Sequence, residues 1–168
     1  MTGSAGAVPV SRPAPHPSRD AEHCSVAGTA TTLTLGSLPS AVSCARAHAV
    51  LVVHGWGLGH LADSVALVVS ELTTNGVQMS QGLSGHTWQG QHHHGRPPVR
   101  LALSTDGASV LVEVWDGSEQ EPQHQEAGPD DESGRGLVIV HALAEETGVS
   151  RLEECSGKVC WALVRGGQ

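Results

Sequence analysis

Ser70-Glu71-Leu72-Thr73-Thr74-Asn75-Gly76-Val77 closes an apolar run that begins near Leu61, and the way this run is read decides the fold. Leu61, Val65, Val68 and Leu72 recur at helical spacing, which predicts an amphipathic helix from about Leu61 to Met79. Glu71 and Asn75 stand one turn apart on that helix, at the margin of its apolar stripe. The spacing alone fits a solvated polar face equally well.

Working outward, Ser40 is expected to cap an earlier helix through Ala45, Arg46, Ala49 and Val53 to about His54, where Gly55-Trp56-Gly57 breaks it. Thr29 to Leu35 reads as a strand. Val99, Leu101 and Leu103, then Val110, Val112 and Val114, alternate at period two around the turn Thr105-Asp106-Gly107, predicting an antiparallel hairpin. Residues 80–98, with His92-His93-His94 and Pro97-Pro98, read as a polar loop. A helix is expected from Gly136 to about Glu146, then strands near 147–153 and 158–165. Helices interleaved with hairpin-linked strands imply an α+β fold, a two-layer sandwich with a mixed, mostly antiparallel sheet and helices on one face.

Residues 1–28 hold Pro9, Pro13, Pro15 and Pro17 among Ser, Ala and Gly, and are expected to form a disordered tail before a single domain at 29–168. The chain has no Phe or Tyr and only four Trp, so its core must be aliphatic. The net charge is −8 and the nine cations are scattered, which argues against nucleic acid as a partner. No apolar stretch approaches the ~20 residues that span a bilayer. No export signal is visible and Cys24, Cys44, Cys155 and Cys160 form no CxxC pair, so a cytoplasmic protein with free thiols is expected.

Three polar groups can be given chemistry. A carboxylate and an amide one turn apart, Glu71 and Asn75, can hold a hydrated Mg²⁺ or orient a hydroxyl that attacks phosphate. Asp116 shares parity with Val110, Val112 and Val114, so its carboxylate points toward the core and requires a donor; the exocyclic amine of adenine is one. Asp-Gly turn chemistry at Asp116-Gly117 is the plainer reading. Gly134-Arg135-Gly136 precedes a helix, whose unpaired N–H groups form an anion site that glycine leaves open.

In order and spacing these segments resemble the small ATP-binding proteins related to anti-sigma-factor serine kinases, within the superfamily of gyrase, heat-shock-chaperone and histidine-kinase ATPase domains. The resemblance covers roughly 30–165 and also takes in Leu38-Pro39, Ala45-Arg46, Val114-Trp115-Asp116-Gly117-Ser118 with Pro122, Glu132-Ser133-Gly134-Arg135-Gly136-Leu137, Gly148-Val149 and Gly157-Lys158 with Trp161-Ala162. It implies ATP and Mg²⁺ as cofactors, Asn75 as the Mg²⁺ ligand and Glu71 as the catalytic base or a water-orienting carboxylate. It implies that Asp116, with Ser118, reads the base, while Ser133, Gly134, Arg135, Gly136 and Leu137 close the phosphate end of a lid at about 117–135. It further implies a serine kinase acting on an anti-anti-sigma partner, a sigma factor as second partner, and a homodimer. A regulator that binds ATP without transferring phosphate is the alternative. A metal-binding protein using His86 and His92 to His94 is a weaker one, because adjacent histidines lack the convergent geometry of a zinc site.

The chain departs from the pattern in four places. Gly76 replaces the usual Ala, at a helix-propensity cost of roughly 1 kcal/mol. Gly157-Lys158-Val159-Cys160 lacks the threonine expected to support the adenine-reading Asp. Residues 117–133 of the lid hold Glu119, Glu121, Glu126, Asp130, Asp131 and Glu132 without a Lys or Arg, and the His-rich segment is longer than usual. The last strand is apolar on both faces, which places it either inside the sheet or against a second subunit.

Overall fold

The computed structural model describes residues 29–83, 85–88, 91–120, 135–151 and 156–166, with the backbone alone at 86–88, 91–94 and 135. The expected tail at 1–28, most of the expected lid, Cys24 and Cys155 lie outside the described residues. Cys44 and Cys160 are free thiols.

Strand β1 (Thr29–Leu35) leads into α1 (Ser40–Gly55), and a 3-10 turn at Gly59–Leu61 leads into α2 (Ala62–Ser80). A small hairpin follows, β2 (Gly85–Trp88) and β3 (Gln91–His94), then β4 (Val99–Thr105) and β5 (Ser109–Asp116). Helix α3 (Arg135–Leu143) precedes β6 (Glu146–Arg151) and β7 (Lys158–Arg165). The main sheet has the order β1-β4-β5-β7-β6. Among the described residues every neighbouring pair of this sheet is antiparallel, where a mixed sheet was expected.

Helices α1, α2 and α3 cover one face of the described sheet. Ala41, Ala45, Ala49 and Val53 form the buried stripe of α1, and these small side chains let it pack closely on α2. From α2, Val65, Val68, Val69 and Leu72 meet Val99, Leu101, Leu103, Val110, Val112 and Val114 of the central hairpin in one aliphatic core. At roughly 25 cal/mol per Å² of apolar area buried, this face is the main source of the fold's stability. Serine 40 lies inside α1 instead of capping it: Pro39 takes the cap position with no side-chain hydrogen bond.

Two further expectations are corrected. The polar loop at 80–98 contains the β2–β3 hairpin, in which Gly85 pairs with His94 and Trp88 with Gln91. Helix α3 stops at Leu143 because the following backbone joins the sheet: Glu145 N–H donates to Leu163 O at 2.8 Å, and Glu146 pairs with Leu163. Strand β7 runs between β5 and β6, so its two apolar faces follow from an interior position in the sheet.

Candidate functional site

The ends of α2 and β5 and the start of α3 converge. Gly76 makes the first contact possible. A β-carbon at this position would lie 3.3 Å from Val99 Cγ1, 3.4 Å from Val114 Cγ1 and 3.5 Å from Asp116 Cβ. The bare backbone therefore lets α2 rest directly on the sheet beside Asp116. The residue that lowers helix propensity is the one that seats the helix.

Glu71 makes the second contact. A β-carbon on Gly136, in the first turn of α3, would collide with Glu71 Oε2. The carboxylate thus fills the space that a side chain would take, against the helix end where backbone N–H groups carry partial positive charge. Among the described residues neither the Glu71 carboxylate nor the Asn75 amide is engaged by a protein hydrogen bond, and both groups are only partly buried. Leu137 is partly buried on the same helix. Ser133 and Gly134 lie outside the described residues, as does the side chain of Arg135.

Asp116 continues the inward parity of β5, as the alternation predicts, and is 2% exposed. Its Oδ1 accepts from the Ser118 N–H at 2.9 Å and from Lys158 Nζ at 2.9 Å. The Asx-type turn and the inward carboxylate are therefore the same feature, and the donors that the buried carboxylate requires are the Ser118 N–H and the Lys158 ammonium. Burial pushes the Asp116 carboxyl above its ordinary range, and the bond to Lys158 opposes that shift. Ser118 is buried as well; its hydroxyl accepts from the Gln120 N–H at 3.1 Å, and its carbonyl accepts from Lys158 Nζ at 3.4 Å.

Lys158 is the residue that sequence reasoning passed over. Its side chain is 1% exposed and forms a buried ion pair with Asp116. The cross-strand register places Asp116 opposite Lys158 and Trp115 opposite Val159. Successive strand residues point to opposite faces. Position 159 therefore faces away from Asp116, and support for the carboxylate comes from 158. The missing threonine is not a missing support. Opposite charges at the ends of two strands were the available signal, but using it required the β5–β7 register.

Gly157 lets the turn before β7 come close. It has φ of 102°, and a β-carbon there would strike the Asp116 carbonyl oxygen and approach Gly117 Cα at 3.0 Å. Only glycine suits both the backbone angle and the space.

Comparison with known protein families matches residues 36–162 to the histidine kinase-like ATPase domain. The chain belongs to that family. A search among curated proteins finds no match. Membership implies ATP binding, usually with Mg²⁺, by a regulatory ATPase-type domain. The residues present suit such a ligand: a buried acceptor at Asp116 for an amine, a carboxylate and an amide for a metal, and bare backbone at Gly136 for phosphate. No described helix is long and apolar enough to cross a membrane.

Proposed function

We propose that this chain is a cytoplasmic, Mg-ATP-dependent regulator of the anti-sigma kinase type. It phosphorylates a serine on an anti-anti-sigma partner and binds a sigma factor, as a homodimer. The observation that carries the reading is the meeting of three separate segments of chain: Glu71 of α2 lies against Gly136 of α3, and Gly76, next to Asn75 on α2, lies against Asp116 of β5.

Bound Mg-ATP supplies the transferable phosphoryl group and a metal that neutralises charge on it. Asp116 accepts from the base, buried where water does not compete. Asn75 offers its amide oxygen to the metal from the last turns of α2. The α3 N-terminus at Gly136 offers unpaired backbone N–H groups to the phosphates. Glu71, against that helix end and one turn before Asn75 on α2, takes the proton from the incoming serine hydroxyl. Placing and charge stabilisation account for most of the rate enhancement in such a transfer.

The test uses γ-labelled ATP with Mg²⁺ and partner proteins captured by the full chain. Wild type should label a serine on the captured acceptor, and Glu71→Ala should not, while both are stabilised by Mg-ATP. Equal labelling by Glu71→Ala removes the base role. Stabilisation by nucleotide with no labelling by wild type leaves the alternative, a regulator that holds ATP without moving phosphate.

A further inference from the structure

We infer that Lys158 is a specificity-determining residue of the nucleotide site, reading the base together with Asp116: the carboxylate accepts from the exocyclic amine while the ammonium donates to the neighbouring ring nitrogen. This inference rests on the ATP reading above and deepens it.

The argument begins with what the buried pair leaves unspent. A lysine ammonium has three N–H donors and no acceptor. Lys158 Nζ gives one to Asp116 Oδ1 at 2.9 Å and one, longer, to Ser118 O at 3.4 Å. No third acceptor is present among the described residues, although the side chain is 1% exposed. A buried charged donor without an acceptor is costly. On the other side of the pair, the bonds to Asp116 among the described residues both end on Oδ1, so Oδ2 retains its acceptor capacity. One donor and one acceptor therefore stand side by side.

That pair has a natural complement. The adenine edge presents an amino N–H donor directly beside the ring acceptor N1. A carboxylate whose Oδ1 already binds the ammonium at 2.9 Å, with Oδ2 left to accept beside it, offers the acceptor and the donor in the same order. Asp116 is held in place for this role by Gly76 against its Cβ and by the turn at Gly157 against its carbonyl. Two alternatives within the fold are weaker. A purely structural ion pair needs only one N–H of the ammonium, and a solvated lysine would be exposed. The position also lies on the face of β7 that looks toward Asp116, which position 159 does not.

The experiment compares binding of Mg-ATP and Mg-1-deaza-ATP, which lacks the ring acceptor, to wild type and to Lys158→Met by calorimetric titration. Wild type should bind ATP about tenfold more tightly than the deaza nucleotide, the scale of one charged hydrogen bond. Lys158→Met should bind the two within about twofold of each other. If loss of the ammonium prevents folding, Lys158→Gln serves instead, because its amide has two N–H donors and the two protein oxygens use both. The same ATP-to-deaza ratio in wild type and variant overturns the inference and leaves Lys158 a partner of Asp116 alone. Failure of wild type to bind either nucleotide overturns the ATP reading itself, and is distinguishable because no ratio is then obtained.

Discussion

The Glu71 carboxylate occupies the place where a side chain on Gly136 would have to sit. Two segments more than sixty residues apart in sequence thus meet with no room for a methyl group between them. The obstructing atom is the far end of a flexible side chain, which determines what substitution would do.

Gly136→Ala should displace the carboxylate and leave the fold intact. Stability should change by less than about 1 kcal/mol, since Glu71 can swing into another rotamer and Ala favours the helix. Phosphoryl transfer should fall by about a hundredfold or more, the scale of losing a positioned base. Thermal melting and a transfer assay on the same preparation check this. A large loss of stability with transfer retained would place the function of Gly136 in packing.

Lys158→Met should be strongly destabilising, by about 3–5 kcal/mol, because it strands a buried carboxylate. Adding Asp116→Asn should recover part of that loss, since the stranded group is then neutral. Denaturant unfolding of the two single variants and the double variant measures the coupling. Additive effects would mean that the ion pair contributes nothing as a pair.

Glu113 should make stability depend on pH. It lies on the outer side of β5 opposite Trp161 and Ala102, and burial pushes its carboxyl up to about 7. A raised folded-state pKa favours the protonated form, so its contribution is full below the ordinary value of about 4.5 and is lost as pH rises through 7. Glu113→Gln, which cannot ionise, should match wild type near pH 4 and exceed it above pH 7.5. Partial exposure discounts the difference to about 1–2 kcal/mol. Melting temperatures that keep a constant gap across this range would contradict the shift.

Gly157→Ala should cost more than a loop substitution ordinarily does. Its positive φ and the neighbouring Asp116 carbonyl both oppose a β-carbon, for a combined cost of about 1–3 kcal/mol. The Asp116–Lys158 register should loosen with it, seen as faster amide exchange at Ser118. Unchanged exchange there would uncouple the turn from the site.

Much of the fold was legible because periodicity is a local signal. Val110, Val112 and Val114 alternate cleanly, and all three are buried with Asp116 beyond them on the same side. The stripe Leu61, Val65, Val68 and Leu72 is buried as the spacing predicted. The features that sequence alone did not show depend on contacts between distant segments. Helix α3 ends early because Glu145 and Glu146 pair with Leu163, across a turn whose pairing no local pattern shows. The β2–β3 hairpin was hidden by polar residues without alternation. Gly76 read as a cost to its helix until the sheet beside it was in view. Lys158 was passed over because parity on β7 matters only once β7 is registered against β5.

The central claim is that Asp116 is the floor of an adenine nucleotide site, and thermal melting with and without Mg-ATP, for wild type and Asp116→Asn, tests it most directly. At a hundredfold excess over Kd, wild type should gain about 2.7 kcal/mol, a rise of roughly 5–10 °C, and the variant should gain little or nothing. A wild-type melt unmoved by saturating Mg-ATP, or an equal rise in the variant, would contradict it.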